Sequence, residues 1–139
     1  MLPPVFQILS ADAAVAALVG RRIFRRGVAA QDVQRPYITW FLVTGTPENT
    51  LSETPTMDRM SVQIDIWATT DKGSEELATA VRDAMEPHGH MTGQPIDGRE
   101  TLTKLWRIAL EFDLFIPRPA VLPAQTYAEA GYFAEDYVS

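Results

Sequence analysis

The residues of this 139-residue chain that most invite a chemical role are three carboxylates on predicted strands and the two histidines. The carboxylates are Asp65, Glu111 and Asp113, and two carboxylates that flank a cleft can act as general acid and base. His88 and His90 stand two positions apart, and imidazole is a common metal ligand. Each kind of site requires further groups at a suitable spacing.

The sequence does not supply those further groups. A catalytic zinc usually has three protein ligands and a structural zinc four, and the two histidines have no third ligand at an obvious spacing. The phosphate-binding, dinucleotide-binding, zinc-protease and nucleophile-elbow motifs (GxxxxGKS/T, GxGxxG, HExxH and GxSxG) are absent from the sequence. The sequence therefore gives no positive support for an enzyme and predicts no metal or other cofactor.

The composition is that of a globular protein with an apolar core, with 46% apolar and 22% charged residues. The absence of cysteine excludes disulfides and thiolate chemistry and is compatible with a reducing cytoplasm. A net charge of −6 argues against a general nucleic-acid binder. No transmembrane segment or signal peptide is expected, since no apolar run of about 18 residues occurs and the N-terminus lacks the signal pattern.

The chain is organised around a predicted strand at 60–68 that feeds a predicted helix at 74–86. Four apolar residues of the strand alternate with more polar neighbours: Met60, Val62, Ile64 and Ile66. The helix carries one apolar stripe: Leu77, Ala80, Val81, Ala84 and Met85. The candidates for its N-cap are Thr69, Thr70, Asp71 and Ser74. A strand followed by a helix that lies back on the sheet predicts an α+β domain.

The rest of the chain completes this domain. The other predicted elements are helical residues 3–19 with a kink or a two-helix corner near Ser10, a short strand at 21–26, a central strand at 37–43, loops at 45–58 and 87–101, and a strand at 102–116. Within the second loop, Asp97 and Gly98 predict a tight turn that joins two strands, one around 94–96 and one from Leu102 onward. We expect one α+β domain, residues 1–116, with four or five strands in a mostly antiparallel or mixed sheet and helices chiefly on one face.

Two further segments predict contacts with other chains. Arg21, Arg22, Arg25 and Arg26 cluster around the short strand, either as a contact for an acidic protein surface or phosphate, or as a solvated strand edge. Residues 117–139, here called the arm, have no strand or long-helix pattern but carry four aromatic residues: Tyr127, Tyr132, Phe133 and Tyr137. Because aromatic residues are enriched at interface cores, we expect the arm to dock on a neighbouring subunit. The alternative is that it folds back on its own domain.

Four segments, in this order, resemble the tail-completion or tail-terminator proteins of long-tailed bacteriophages and prophages. They are AAVAALVGRRIF (13–24), RPYITW (35–40), RMSVQIDIWATT (59–70) and ELATAVRDAM (76–85). The resemblance spans residues 1–116. It implies a structural virion protein, made in the host cytoplasm, that forms a ring, typically a hexamer, on the head-proximal end of the tail tube. Its partners are the tail tube protein and a neck or head-completion protein, with no membrane and no cofactor.

The ring implied by the resemblance stops tube growth, joins the tail to the neck, and surrounds a channel through which the genome passes without specific binding. Our hypothesis is that Glu111 and Asp113, or the loop at 44–58, line or approach this channel, because like charge disfavours DNA adsorption. Two other readings stay open: another connector, neck or tube component, and a cytoplasmic enzyme or small-molecule binder.

Overall fold

The computed structural model describes residues 2–26, 33–48 and 55–118. In chain order the elements are helices α1 (Val5–Ala11) and α2 (Ala13–Val19), strands β1 (Ile23–Arg25), β2 (Tyr37–Pro47) and β3 (Met57–Ala68), helix α3 (Asp71–Met85) with a 3-10 turn (Glu86–His88), and strands β4 (Gly89–Arg99) and β5 (Trp106–Pro117). The sheet order is β1-β2-β3-β5-β4, with β1 parallel to β2 and the other pairs antiparallel. The predicted α+β fold with a mixed sheet is confirmed.

The core lies between one face of the sheet and the three helices. Residues of β2, β3 and β5 that lie opposite one another across the strands fill this face, as in the pairs Trp40–Ile64 and Ile64–Leu110. The helices contribute Val5, Leu9, Val15, Val19, Leu77, Val81 and Met85, all fully buried. Since burial of a large apolar side chain contributes about 1.5–3 kcal/mol, this layer dominates the stability of the domain.

Side-chain caps explain where the helices begin and end. Asp12 has extended backbone angles, and its carboxylate accepts a hydrogen bond of 3.0 Å from the Val15 N–H, so that α1 stops and α2 starts there. Of the two predicted alternatives, the two-helix corner is therefore the one found. Gly20 ends α2 with a φ of 59°, which glycine adopts without strain. Thr70 caps α3 by accepting a 2.9 Å hydrogen bond from the Gly73 N–H.

The predicted loop at 45–58 is wrong at both ends, because β2 continues to Pro47 and β3 begins at Met57. The pairs from Thr44–Ser61 to Pro47–Asp58 extend the hairpin past the buried core. Residues 43–48 are all exposed, so no alternation of apolar and polar side chains marks them as a strand. Residues 49–54 lie outside the described residues.

The predicted loop at 87–101 contains the edge strand β4, and the strand predicted around 94–96 is only a part of it. Its register with β5 shifts on both sides of Gly93, and Pro95 interrupts it, which an edge strand tolerates. Asp97 and Gly98 lie within β4 rather than in a turn. The chain turns instead at 100–105, where the Lys104 N–H donates to the Glu100 carbonyl, and β5 consequently starts at Trp106 rather than at Leu102.

Candidate assembly surfaces

The sheet face opposite the core, here called the open face, carries side chains of β2, β3 and β5 that point away from the helices. Cross-strand pairs define it: Tyr37–Trp67, Thr39–Asp65, Trp67–Arg107, Gln63–Glu111 and Ser61–Asp113. In the part of the chain that the structure describes, no helix packs against these residues. The alternation that buries one face of each strand therefore places polar and aromatic side chains together on the other.

Aromatic rings and one arginine form a continuous layer at one end of the open face. The Trp67 ring stacks on Tyr37 at 6.0 Å with an interplanar angle of 12°, and Phe24 meets Tyr37 edge-on at 6.4 Å. The Arg107 guanidinium lies 4.8 Å from the centre of the Trp67 ring, a cation–π contact. The Trp67 Nε1–H donates a 3.0 Å hydrogen bond to the Thr39 hydroxyl. These contacts fix the ring positions and shield the strand backbone beneath them.

Asp65 lies beneath this layer and is fully paired. Its side chain accepts hydrogen bonds of 3.0 Å from Arg107 Nη2 and 2.9 Å from Gln63 Nε2, and the residue is only 5% exposed. A buried carboxylate held by a cation and an amide has a structural role. The acid–base role considered for Asp65 gains no support from this geometry.

Burial also affects the phenol of Tyr37. Its pKa is raised above the ordinary value, chiefly by burial and further by nearby Glu100, while Arg35 acts in the opposite direction. The phenol is therefore neutral at physiological pH, and it serves the layer as a stacking surface.

Glu111 and Asp113, predicted to approach the channel, lie on the open face one strand repeat apart on β5. Both are half-buried, and the Ser61 hydroxyl donates a hydrogen bond to the Asp113 carboxylate. Glu111 stands opposite Gln63, and Asp113 stands opposite His90 of β4. The structure thus brings these two carboxylates together on a polar sheet surface. Their position relative to a channel remains a prediction.

The four arginines of the predicted cluster gather at the β1 edge of the sheet, here called the basic edge. Arg21 lies 4.8 Å from the ring centre of Phe6, and Arg25 lies 6.0 Å from that of Trp40. Arg22 donates hydrogen bonds of 3.1 Å to the carbonyls of Pro36 and Leu18, and so ties α2 to the start of β2. Arg22 therefore has a structural function, Arg25 is half-buried, and Arg21 and Arg26 are exposed at the same edge.

A further arginine, which the sequence did not single out, holds the far end of the sheet. Arg118 donates to both carboxylate oxygens of Asp58, with N–O distances of 2.9–3.2 Å. Its backbone N–H also donates to the Thr56 carbonyl at 2.7 Å. Asp58 is 5% exposed, so the pair fixes the position from which the arm departs. The predicted interface residues Tyr127, Tyr132, Phe133 and Tyr137 lie outside the described residues.

The histidines belong to different local structures. His88 ends the 3-10 turn, whereas His90 lies on β4 with its ring edge-on to Phe115 at 5.9 Å. Among the described residues, no three histidine, aspartate or glutamate side chains are placed to hold one metal ion. Among the same residues, no helix is long and apolar enough to cross a membrane.

The described domain has several open clefts. One of about 340 Å³ lies beside β4 and is lined by Pro95, Ile96, Asp97, Gly98, Arg99, Glu100 and Arg107. Another of about 410 Å³ lies between α1 and α3 and is lined by Gln7, Ile8, Ala11, Asp12, Ala84 and His88. The Asp12 carboxylate there already caps α2. The described residues thus form an α+β domain with polar and charged side chains on the open face and at the basic edge.

Comparison with known proteins identifies the family. The sequence profile of the tail completion protein gp17 family matches residues 3–116, and the chain belongs to that family. It is thus a structural protein of a phage-type tail or neck. Among solved structures, it is similar in fold to a chain from the virion of a native gene transfer agent particle, with a TM-score of 0.56 and 22% identity over 81% of this chain and 91% of that chain. No curated protein matches it in sequence.

Proposed function

We propose that this protein forms a ring of about six copies that caps the head-proximal end of a phage tail tube. The ring ends polymerisation of the tube and joins the tail to the neck of the filled head. The observation that carries the proposal is the family match, because residues 3–116 include nearly the whole helix-and-sheet domain. The similar fold of a chain from a gene transfer agent virion supports a place in the virion.

In this ring the open face lines the channel through which the genome passes. Glu111 and Asp113 give the central strands a negative surface, while the positive charge of Arg107 is balanced by Asp65. Negative charge repels the DNA phosphates, so that the genome moves without adsorbing. The helices then face outward, and the hairpin end at 44–48 and 55–58 borders the same channel.

The two remaining surfaces serve contacts between proteins. We assign residues 1–116 as the ring-forming domain and residues 117–139 as an arm for interaction with other chains. The basic edge and the arm contact neighbouring copies, the tail tube protein or the neck protein. The protein is made in the bacterial cytoplasm and acts in the virion, and its role uses no catalysis, cofactor or membrane.

Native mass spectrometry of the purified chain, with and without isolated tail tubes, tests the ring. A closed ring of about six copies, alone or only on tubes, is the expected result. A monomer that ignores tubes contradicts the proposal. Long filaments of the pure protein indicate a tube subunit instead, because a tube protein polymerises through different contacts on its two faces.

The placement of the open face has its own test, which the absence of native cysteine makes simple. Glu111→Cys and, as a control on the exposed surface of α3, Glu75→Cys are each treated with a bulky maleimide before and after ring formation. Assembly is expected to slow labelling at Glu111 and to leave labelling at Glu75 unchanged. Equal rates at both sites in the ring contradict a channel-lining position.

A further inference from the structure

We infer that the basic edge is the docking site for the acidic arm of a second copy of this chain. This inference rests on the proposed ring, in which each copy must present two different, complementary surfaces to its neighbours. The arm and the basic edge form such a pair, so that each copy gives its arm to one neighbour and receives an arm from the other.

Charge is the first argument. The arm beyond Arg118, residues 119–139, contains Glu129, Glu135 and Asp136 but no lysine or arginine, and so carries half of the net charge of −6. The basic edge concentrates four of the twelve basic residues within six positions. The open face is a poor alternative for the arm, because its own Glu111 and Asp113 repel a negative segment.

Side-chain chemistry is the second argument. In the arm, Glu135 and Asp136 stand between Phe133 and Tyr137, so that carboxylates and rings alternate along a short stretch. Arginine binds both groups, because its guanidinium pairs with carboxylates and stacks on aromatic faces. Arg21 and Arg25 are already held over the rings of Phe6 and Trp40, which orders them before any partner arrives.

The exit point of the arm is the third argument and favours a second copy. The arm leaves where Pro117 pairs with Met57, whereas β1 lies beside residues 38–40 at the other end of β2. From Trp40 to Pro47 the strand spans about 24 Å, so the arm leaves the domain well away from the basic edge of the same copy. The bonds from Arg118 to Asp58 and Thr56 hold the chain in the direction of β5, away from its own basic edge.

Disulfide trapping between two single-cysteine variants tests the docking. One variant is Tyr137→Cys, and the other is Ala17→Cys, an exposed position on α2 four residues before Arg21 in the sequence, which leaves all four arginines in place. Under ring-forming conditions we expect mild oxidation to join the two variants. The control Thr92→Cys, exposed on the opposite edge strand β4, should not be joined.

Charge reversal completes the test. Arg21→Glu with Arg26→Glu in the Ala17→Cys partner should lower the yield of the disulfide about tenfold, since each exposed pair contributes up to about 1 kcal/mol. Glu135→Lys with Asp136→Lys in the arm should lower it similarly, and the two reversals together should restore it. Lys72→Glu with Lys104→Glu is the matched control and should have no effect.

Two results overturn the inference while the ring stands. One is that normal rings form but trapping is equal at Thr92 and Ala17. The other is that a chain that carries both Tyr137→Cys and Ala17→Cys forms the disulfide only within itself. If the unmodified chain forms no ring on tail tubes, the proposed function fails, and the inference fails with it.

Discussion

Arg118 binds both carboxylate oxygens of Asp58, a residue 60 positions earlier in the sequence, across the neighbouring strands β3 and β5. The Asp58 side chain is 8% exposed and that of Arg118 is 36% exposed, so the carboxylate depends on the arginine as its cation. The hydrogen bond to Asp58 raises the pKa of the guanidinium further. This pair closes the end of the sheet from which the arm departs.

Removal of that cation is expected to destabilise the domain. Arg118→Ala leaves the Asp58 carboxylate buried without a partner, so the melting temperature should fall. Arg118→Lys keeps the charge but loses the bidentate hydrogen bonding. Its melting temperature should therefore lie between those of the wild type and Arg118→Ala. In a double-mutant cycle measured by thermal unfolding, the variant that combines Asp58→Asn with Arg118→Ala should lose less melting temperature than the two single variants lose in sum. Additive losses contradict a direct pair.

The cap of α3 gives a prediction with a matched neighbour. Thr70→Ala removes the hydroxyl that binds the Gly73 N–H, and it should lower the free energy of unfolding by about 1 kcal/mol. Thr69→Ala changes an exposed threonine one position earlier and should stay within about 0.5 kcal/mol. Urea unfolding of both variants measures the difference. Equal losses would show that the hydroxyl of Thr70 does not act as the cap.

The open face gives a larger expected effect. Arg107→Met leaves the buried Asp65 carboxylate with only the Gln63 amide as a partner. The free energy of unfolding, measured with urea, should therefore fall by about 2–4 kcal/mol. Asp65→Asn in the same chain should recover part of that loss. Arg99→Met, an exposed arginine of the adjacent strand, is the control and should cost less than about 0.5 kcal/mol.

The raised pKa of Tyr37 predicts a pH dependence at high pH. A phenol whose folded-state pKa exceeds its unfolded value of about 10 stabilises the protein fully below that value. This stability is lost as the pH rises through the folded-state pKa. The free energy of unfolding of the wild type and of Tyr37→Phe should be compared from pH 8 to about 11. The stability of the wild type relative to Tyr37→Phe should decrease at the upper end of this range. A constant difference contradicts the shift.

The sequence predicted those elements that bury one face. The alternation from Met60 to Ile66 and from Ile108 to Leu114 marks strands because every second side chain lies in the core. The edge strand β4 buries too little for such a pattern, and its Gly and Pro residues resemble a loop. The network of Asp65, Trp67 and Arg107 was also not predicted, since it depends on strand register across 42 positions of sequence.

No cysteine, metal-site pattern or catalytic motif in the sequence pointed to a function. The family was indicated instead by four short segments, each of low specificity, that occur in the expected order. The polar placement of Glu111 and Asp113 followed from the period of the strand and is found in the structure. The partners of Arg21, Arg22 and Arg25 could not be predicted, because α1, α2 and β2 approach the basic edge only in the folded chain.

The two margins of the sheet have a consequence for aggregation. β1 is three residues long and flanked by arginines, while β4 shifts register on both sides of Gly93 and lacks a backbone donor at Pro95. Short, charged or interrupted margins resist pairing with a strand from another molecule. A subunit with such margins is therefore not expected to extend its own sheet into a fibril.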